Sequence, residues 1–312
     1  MRVVVMGAGG VGSYFGAQLA ANGADVAFVA RGAQLKALRE KGLVVESKFF
    51  PANLPPQTAT DDPATLAAPD IVLFCVKLWD VERAAEQIRP IVGPRTAVIT
   101  VQNGVDAHER AGKILGADKI VPGVLHISAT LREPGVVYHN GRLQRIIFGE
   151  LDGRRSPRCE AFLAACEQAK LDAVLTGNIQ EAIWDKFIFL VAFSGMTAML
   201  RTGIGTIRED AGHFAKFRAV MEEAHAVARA KGVRFGADPV AKWLEKIPSM
   251  PHSFRASMLE DLEHGRRLEL PWLSGKVAEL GREFGISTSA NQSIADALAP
   301  HAEPRARAAG PA

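Results

Sequence analysis

The stretch that decides the fold is MRVVVMGAGGVGSYFGAQLAANG, residues 1–23. A β-branched run, Val3–Met6, ends abruptly at a glycine, and an amphipathic helical segment, Ser13–Asn22, follows. Between them stands Gly7-Ala8-Gly9-Gly10-Val11-Gly12, which has GxGxxG spacing. Its first glycine permits a tight turn, its second lets the backbone approach a pyrophosphate, and its third allows the helix to pack on the sheet. The strand–turn–helix context therefore predicts that residues 7–12 bind a dinucleotide at the amino end of a helix.

The end of the second apolar run indicates which dinucleotide binds. Val26–Val29 is followed by Ala30 and Arg31, without the Asp or Glu that holds the ribose 2′-hydroxyl in NAD sites. An arginine at this position can pair with a 2′-phosphate and stack on adenine. The alternative is an ordinary solvated surface arginine. We predict NADP(H) as the cofactor.

Further apolar runs indicate a parallel sheet in the first half of the chain. Runs that are apolar throughout suit strands covered by helices on both faces, and their alternation with helical segments predicts a doubly wound α/β fold. The candidate strands are Ile71–Val76, Ala97–Val101, Ile120–Val124 and Ala173–Thr176. Two more runs, Gly135–His139 and Arg145–Phe148, are joined across Asn140-Gly141, which predicts a β-hairpin added at an edge of the sheet.

Two polar residues follow strands at the edge where ligands bind in open α/β sheets. Lys77 comes directly after the run IVLFCV, and Asn103 lies in Gln102-Asn103-Gly104 after AVITV. Either residue alone fits an ordinary turn. Because both stand at carboxyl ends of strands, we predict that both contact the cofactor or the substrate.

The pattern becomes helical after residue 177. Asn178 is a suitable N-cap for a long, buried helix over Ile179–Leu200, and further helices are predicted over 208–232, 238–246, 253–266 and 271–284. The predicted architecture is a Rossmann-type, doubly wound, mostly parallel sheet followed by an all-helical C-terminal domain. The domains are an NADP-binding domain over 1–177, a helical substrate and catalytic domain over 178–300, and a disordered tail over 301–312.

The order of the motifs resembles the ketopantoate reductase (2-dehydropantoate 2-reductase) family. The resemblance covers nearly the whole chain and rests on GAGGVG at 7–12, Arg31, CVK at 75–77, QNG at 102–104, WDK at 184–186, SMLED at 257–261 and RLE at 267–269. It implies NADPH-dependent reduction of ketopantoate to pantoate, on the pathway to pantothenate.

Individual roles also follow from the resemblance. It implies that Lys186 donates a proton to the substrate oxygen, that Glu269 positions the substrate, and that Ser257 contacts the substrate carboxylate. It further implies that Arg31 and Lys77 bind the cofactor and that Asn103 lies near the nicotinamide ribose and the substrate.

The residues themselves support Lys186 as a catalytic group. It stands in an apolar helical stretch, AIWDKFIFLVAF, where burial would lower the lysine pKa and favour proton transfer near neutral pH. The alternative is a lysine that reaches solvent from a helix flank beside Asp185. For Glu269 the alternative is a carboxylate that serves a helix dipole just before Pro271. Ser257 without the resemblance is an unremarkable helical serine.

Two positions depart from the family pattern. Four and eight residues after the lysine, where the family has asparagines that hold the substrate, this chain has Leu190 and Ser194. Ser194 is the predicted substrate contact, through a shorter donor than an amide. The departure gives weight to an NADP-dependent paralogue acting on another carbonyl or imine. A non-catalytic NADP(H)-binding regulator is a third interpretation, against which the joint presence of Lys186, Ser257 and Glu269 argues.

Composition limits the partners. The formal charge of +3 and the absence of a basic run argue against nucleic acid and membrane surfaces. The start of the chain lacks the pattern of a signal peptide, and no run of roughly 18 apolar residues stands out. Three cysteines without paired spacing predict reduced thiols and no metal site. We expect a soluble, cytoplasmic enzyme that binds a small 2-oxo acid, with a homodimer as a compatible assembly.

Overall fold

The computed structural model describes residues 1–304, which fall into two compact units. The first unit is Met1–Ala182 and contains the sheet. The second begins at Ile183, inside a long helix, and its described part contains helices and short 3-10 turns.

Ten strands of the first unit form one mixed sheet. They are β1 (Arg2–Met6), β2 (Asp25–Val29), β3 (Leu43–Ser47), β4 (Ala52–Leu54), β5 (Thr58–Thr60), β6 (Ile71–Phe74), β7 (Ala97–Thr100), β8 (Ile120–Glu133), β9 (Val136–Phe148) and β10 (Asp172–Leu175). Their order is β4-β3-β9-β8-β7-β6-β1-β2-β5, with β10 also paired to β9. From β8 to β5 every neighbouring pair is parallel, as expected for a doubly wound sheet. The predicted fold class is confirmed.

Helices connect the central parallel strands, and these helices cover both faces of the sheet. β6 and β7 are buried along their whole length, and β1 is buried except at Arg2. The helices that follow the strands are α1 (Gly10–Ala21), α2 (Gly32–Glu40), α3 (Val81–Ile88), α4 (Ala107–Leu115) and α5 (Pro157–Gln168). Continuous apolar runs without alternation are what such two-sided burial requires.

The predicted hairpin across Asn140-Gly141 is wrong. The two runs assigned to it belong to one strand, β9, which pairs antiparallel with β8 through a turn at Pro134-Gly135. Ile127 pairs with Gln144 and Ala129 pairs with His139, so residues 140–143 bulge out opposite a single residue of β8. Gly141 has a φ of +85°, which is the local turn that the Asn-Gly pair signals. Nor does this strand lie at an edge, because β9 is flanked by β3 and β8.

Up to residue 304, the regular structure of the second unit consists of helices and 3-10 turns. The helices are the remainder of α6 (Ile179–Leu200), α7 (Ile204–Glu209), α8 (Ala211–Ala230), α9 (Pro239–Lys246), α10 (Ser257–Glu263), α11 (Ser274–Phe284) and α12 (Ser289–Leu298). The predicted N-cap of α6 is confirmed: Asn178 Oδ1 accepts from Glu181 N at 3.3 Å, and Asn178 Nδ2 donates to Glu181 Oε2 at 3.0 Å. Asn178 thus satisfies one N–H group at the start of α6, and its side-chain amide is itself held by Glu181.

Three predicted helices have different boundaries. The helix predicted over 208–232 is interrupted because Asp210 caps α8, accepting a bond from His213 N at 2.7 Å. The helix predicted from 253 starts at Ser257, since the preceding loop bonds to α7 instead. The helix predicted over 271–284 divides into a 3-10 turn, Leu270–Trp272, and α11.

Helix α6 is long and apolar enough, by length and composition alone, to cross a membrane. However, 72% of its most apolar window is buried inside the protein. Trp184, Phe187 and Ile188 are each less than 2% exposed. This is the burial expected of a core helix with no polar face.

The predicted disordered tail begins later than expected. His301 ends a 3-10 turn, and Ala302 O accepts from Leu268 N at 2.9 Å. The prediction is therefore wrong for these residues, which a backbone bond holds to the second unit. The rest of the predicted tail, 305–312, lies outside the described residues.

Candidate functional site

The glycine turn between β1 and α1 is held in place by hydrogen bonds of the protein. Gly7 has a φ of +100°, and a Cβ there would lie 3.0 Å from the backbone nitrogen of Val76. The amides of Gly7 and Ala8 donate to Val29 O at 3.3 and 3.1 Å. Ser13 Oγ donates to Ala8 O at 3.0 Å. These bonds fix the turn at the carboxyl end of β1, where only glycine accommodates the backbone.

The three glycines that follow have different neighbours. A Cβ at Gly10 would lie 2.5 Å from Ala129 O, and one at Gly12 would lie 2.2 Å from Gly7 O. These two glycines are needed for packing. A Cβ at Gly9 would meet nothing within 4 Å, so the backbone there faces open space. In α1 no side chain caps the first turn and no acidic residue stands in it. The turn therefore fits a pyrophosphate that approaches at Gly9 and accepts from the helix N–H groups.

Arg31 stands where the sequence places it, at the N-cap of α2 directly after β2. Its side chain is exposed, and Nη2 donates to Gln87 Oε1 at 3.2 Å. Because β2 pairs with β1, Arg31 follows the strand next to the glycine turn. An exposed guanidinium with one neutral partner retains donors for a phosphate.

Lys77 and Asn103 lie at the same edge of the sheet. Lys77 is exposed after β6, with its Nζ 5.6 Å from the ring centroid of Trp79, and Asn103 is half-buried after β7. Their loops are joined by Gln102, whose Nε2 donates to Phe74 O at 2.8 Å and to Val76 O at 3.2 Å. The structure thus brings the glycine turn, Lys77 and Asn103 to one edge.

Gln102 is a positioning residue that sequence analysis did not assign. It stands in the motif QNG, but an amide after a strand looks like any turn residue until its acceptors on the neighbouring strand are known. Arg110 has a similar role, since its Nη2 donates to Leu78 O at 2.8 Å and thereby fixes the turn after Lys77. Its guanidinium also pairs with both oxygens of Glu82 at 2.6 Å.

In the second unit, the structure places Lys186 under the influence of Glu269. Lys186 is half-buried in the third turn of α6, which is apolar around it. Burial lowers the pKa of Lys186 to about 8, and the negative charge of Glu269 acts in the opposite direction. A lysine with this pKa is a competent acid near neutral pH.

Glu269 is only 7% exposed. It precedes the 3-10 turn Leu270–Trp272 but does not cap it with its side chain. A buried carboxylate whose charge acts on a lysine ammonium offsets part of the cost of withdrawing either charge from water.

The two predicted serines differ. Ser257 is exposed as the first residue of α10, with its hydroxyl accessible from solvent. Ser194 is only 2% exposed, and its hydroxyl donates to Val191 O in its own helix at 3.5 Å. Four residues earlier, Leu190 is half-buried and offers no polar group. The α6 positions after Lys186 therefore present far less hydrogen-bonding capacity than two asparagines would.

Titratable side chains outside these positions do not assemble into a metal site. Among residues 1–304, no group of three or more His, Cys, Asp or Glu residues could hold a metal ion. Cys75, Cys159 and Cys166 are free thiols, and burial raises the pKa of Cys166 to about 12. The groups with chemical potential are therefore the glycine turn with its strand-end residues and the pair Lys186 and Glu269.

A dinucleotide turn on a parallel sheet, followed along the chain by a helical unit with a half-buried lysine and a buried carboxylate, is the arrangement of a class of nucleotide-dependent oxidoreductases. Comparison with known proteins is more specific. The family model for ketopantoate reductase PanE/ApbA matches residues 3–153, and the model for the C-terminal part of that family matches residues 178–302. The chain belongs to the ketopantoate reductase family and is an oxidoreductase.

Individual relatives span nearly the whole chain. A 2-dehydropantoate 2-reductase from Archaeoglobus fulgidus is 32% identical, over 94% of this chain and 95% of its own. The crystal structure of a PanE/ApbA family ketopantoate reductase from Ralstonia eutropha superposes with a TM-score of 0.89 at 30% identity, covering 96% of this chain and 98% of its own. A D-mandelate dehydrogenase with NADH and anilino(oxo)acetate has a TM-score of 0.87 over the same shares at 18% identity, a likeness of fold alone.

Proposed function

We propose that the protein reduces a 2-oxo acid to the 2-hydroxy acid with NADPH. The observation that carries the proposal is Lys186, a half-buried lysine of an apolar helix whose pKa is lowered by burial to about 8 and raised in part by the charge of Glu269. Lysines are seldom withdrawn from water unless they are paired or functional. Family membership supports the same reaction, because several relatives of about 30% identity are 2-dehydropantoate 2-reductases.

The residues divide the chemistry between them. A reduced nicotinamide dinucleotide held at the glycine turn would supply the hydride for the carbonyl carbon. Lys186 Nζ donates the proton that the carbonyl oxygen needs as its negative charge develops, and solvent restores that proton. Glu269 keeps Lys186 protonated at neutral pH, because its negative charge favours the ammonium. Ser257 offers a hydroxyl to the substrate carboxylate.

Replacing the acid tests the reaction. Lys186→Met should lower kcat for reduction by about 10²- to 10⁴-fold, the usual contribution of a positioned general acid. NADPH binding, followed by fluorescence, should be unchanged because the glycine turn belongs to the first unit. A variant that keeps full kcat would refute Lys186 as the proton donor.

NADPH rather than NADH is proposed on the basis of Arg31. Its exposed guanidinium follows β2, and no carboxylate stands at that position to hold a ribose 2′-hydroxyl. Arg31→Ala should weaken NADPH binding by about 10- to 100-fold, since hydrogen bonds to charged groups contribute about 1.5–3 kcal/mol. NADH binding should change little. Lys36→Ala removes another exposed cation of α2 and is the matched control. Equal losses in both variants would mean that only net charge matters.

Two substrates are compatible with this chemistry. Ketopantoate, reduced to pantoate for pantothenate biosynthesis, is the 2-oxo acid that family membership favours. The apolar Leu190 and the buried Ser194 favour a second candidate, a paralogue that acts on another carbonyl or imine. NADPH oxidation with ketopantoate and a panel of 2-oxo acids separates them. Rapid turnover of ketopantoate would support the first candidate, and turnover of other compounds only would support the second.

A cytoplasmic location is part of the proposal. The three free cysteines support it, because proteins of reducing compartments keep their thiols unpaired. A fractionation experiment on the source cells would test it by locating the protein with the soluble cytoplasmic enzymes.

A further inference from the structure

We infer that the 2-oxo acid taken by this protein has an apolar, aromatic side chain instead of a hydroxylated one. The inference rests on the proposed 2-oxo acid reduction and names its substrate class. It is carried by the side chains that share the Lys186 face of α6 and by a stack of aromatic rings that ends at the exposed Phe254.

The face of α6 that carries Lys186 is apolar beyond the lysine. Residues three, four and seven positions apart share a helix face, so Phe189, Leu190 and Phe193 follow Lys186 along it. Ser194, one position further, bonds its hydroxyl to its own helix. A site built to hold a substrate hydroxyl needs a polar partner there, and an unpaired substrate hydroxyl against Leu190 would be costly.

Four aromatic rings stack into a column along this face. The ring centroids of Phe254 and Phe193 are 4.8 Å apart, those of Phe193 and Phe189 are 5.1 Å apart, and those of Phe189 and Trp243 are 4.4 Å apart. The three interplanar angles are 27°, 17° and 16°. We call this set the aromatic column. Trp243 Nε1 donates to Asp185 O at 2.8 Å, which ties one end of the column to the helix backbone next to Lys186.

The other end of the aromatic column is open. Phe189 and Phe193 are 8% and 4% exposed, whereas Phe254 is 42% exposed. A large aromatic ring with this exposure is not a core residue, and the buried rings beneath it prevent its collapse into the interior. An aromatic group is the partner that such a rigid, stacked ring surface accommodates best.

The loop of Phe254 is fixed and lies next to Ser257 in the chain. His252 O and Phe254 O accept from Gly205 N and Ile204 N at 3.0 and 2.9 Å, and these bonds hold the loop against the start of α7. Three residues later, Ser257 exposes its hydroxyl at the start of α10. This short segment therefore offers a hydroxyl for a carboxylate and a ring for an apolar side chain, the two ends of an aromatic 2-oxo acid.

The test compares kcat/KM of the purified protein with NADPH for phenylglyoxylate, phenylpyruvate, pyruvate and ketopantoate. We expect kcat/KM for the better aromatic substrate to exceed that for ketopantoate by about tenfold or more, because a leucine in place of a hydrogen-bonding amide penalises the hydroxyl. A kcat/KM for ketopantoate equal to or above both aromatic values would overturn the inference.

Variants distinguish stacking from a structural effect. Phe254→Ala should lower kcat/KM for the aromatic acid by about two- to tenfold, the range of an aromatic contact, while leaving that for pyruvate unchanged. Phe284→Ala, which removes another exposed phenylalanine of the second unit, is the matched control and should change neither. An equal loss for both substrates in Phe254→Ala would show a structural role and overturn the inference.

A binding measurement separates this inference from the proposed reaction. Calorimetry of the protein–NADP⁺ complex with mandelate, phenyllactate and pantoate reports recognition without turnover. If no 2-oxo acid is reduced but an aromatic acid binds more tightly than pantoate and Phe254→Ala weakens that binding, the proposed reaction fails while recognition of an aromatic acid by the aromatic column stands. If the complex favours neither mandelate nor phenyllactate over pantoate, the inference fails whatever the activity.

Discussion

The pKa of Lys186 leads to a pH profile that can be worked out in advance. With a pKa of about 8, the group is about nine-tenths protonated at pH 7 and about one-tenth protonated at pH 9. Reduction requires the protonated form. We therefore expect kcat/KM to be level below pH 7 and to fall about tenfold per pH unit above pH 8. A lysine at its ordinary value of 10.5 would remain mostly protonated at pH 10.

Substitution of Glu269 tests whether the pKa of Lys186 causes the pH profile of kcat/KM. The carboxylate raises the pKa of Lys186 against the effect of burial, so its removal should lower this pKa further. In Glu269→Gln the alkaline fall of kcat/KM should move to lower pH. The loss relative to the parent protein should then be larger at pH 8 than at pH 6.

The assay is NADPH oxidation at low substrate concentration between pH 6 and 10, since kcat/KM reports groups of the free enzyme. Lys242→Gln is the matched control, because this lysine is about half exposed and pairs with Asp185 at 3.0 Å, one residue before Lys186. The pH profile of kcat/KM for Lys242→Gln should match that of the parent protein. A parent profile that stays level to pH 10, or a shift of the Glu269→Gln profile to higher pH, would refute the reasoning.

Two further predictions concern the first unit. Gly9→Ala should weaken NADPH binding by at least about tenfold without lowering the Tm, because its Cβ meets no protein atom within 4 Å but occupies the approach of the pyrophosphate. Gly93→Ala, whose Cβ makes only ordinary contacts, is the control, and a fall in Tm for Gly9→Ala alone would contradict this account. Glu150→Gln should lower the Tm by about 4–8 °C at pH 7, because it removes about 2 kcal/mol from a buried carboxylate that pairs with Arg158 through two 2.7 Å bonds. Burial raises the pKa of Glu150, but bonds from Arg158 and Ser156 outweigh it and hold the pKa below its ordinary value. The stabilisation is therefore present above the unfolded-state pKa and is lost as pH falls through the folded-state pKa, so the difference in Tm should narrow toward pH 4. An undiminished difference there would contradict the assignment.

The sheet was predictable where burial on two faces leaves a clear pattern in the sequence. The predicted runs are apolar apart from Thr100, and each contains a buried parallel strand; they are Val3–Met6, Val26–Val29, Ile71–Val76 and Ala97–Val101. The short strands β3, β4 and β5 were not predicted, because three to five residues of mixed polarity carry little periodicity.

The hairpin shows how a correct local signal can give an incorrect topology. Asn140-Gly141 does bend the chain, but the choice between a hairpin turn and a bulge depends on which partner strand is available. That partner, β8, extends over 14 residues, whereas the continuous apolar run predicted only Ile120–Val124. Its second half is largely exposed and alternates apolar with polar residues, a weaker strand pattern than a continuous apolar run.

The candidate site was predictable to different degrees. The glycine turn could be predicted because three glycines with GxGxxG spacing follow a strand. Lys186 could be predicted because it is a charged residue in an apolar helical stretch. Gln102 and Phe254 were missed, because each acquires its role through contacts with distant residues. From the sequence, a phenylalanine before a helix is expected to be a core residue, and only the structure shows that Phe254 is 42% exposed.

The bulge in β9 also has a consequence for protein engineering. Residues 140–143 are exposed. A 3.0 Å hydrogen-bond contact between His139 Nε2 and Leu143 O joins the two ends of the bulge. A change in the number of residues between His139 and Gln144 leaves the pairing of Ile127 with Gln144 and of Ala129 with His139 in place. The side chains of β9 therefore keep their alternation between the two faces of the sheet. The bulge is thus a place in the middle of a sheet where an epitope or a fluorescent reporter can be inserted, and where related chains are free to differ in length.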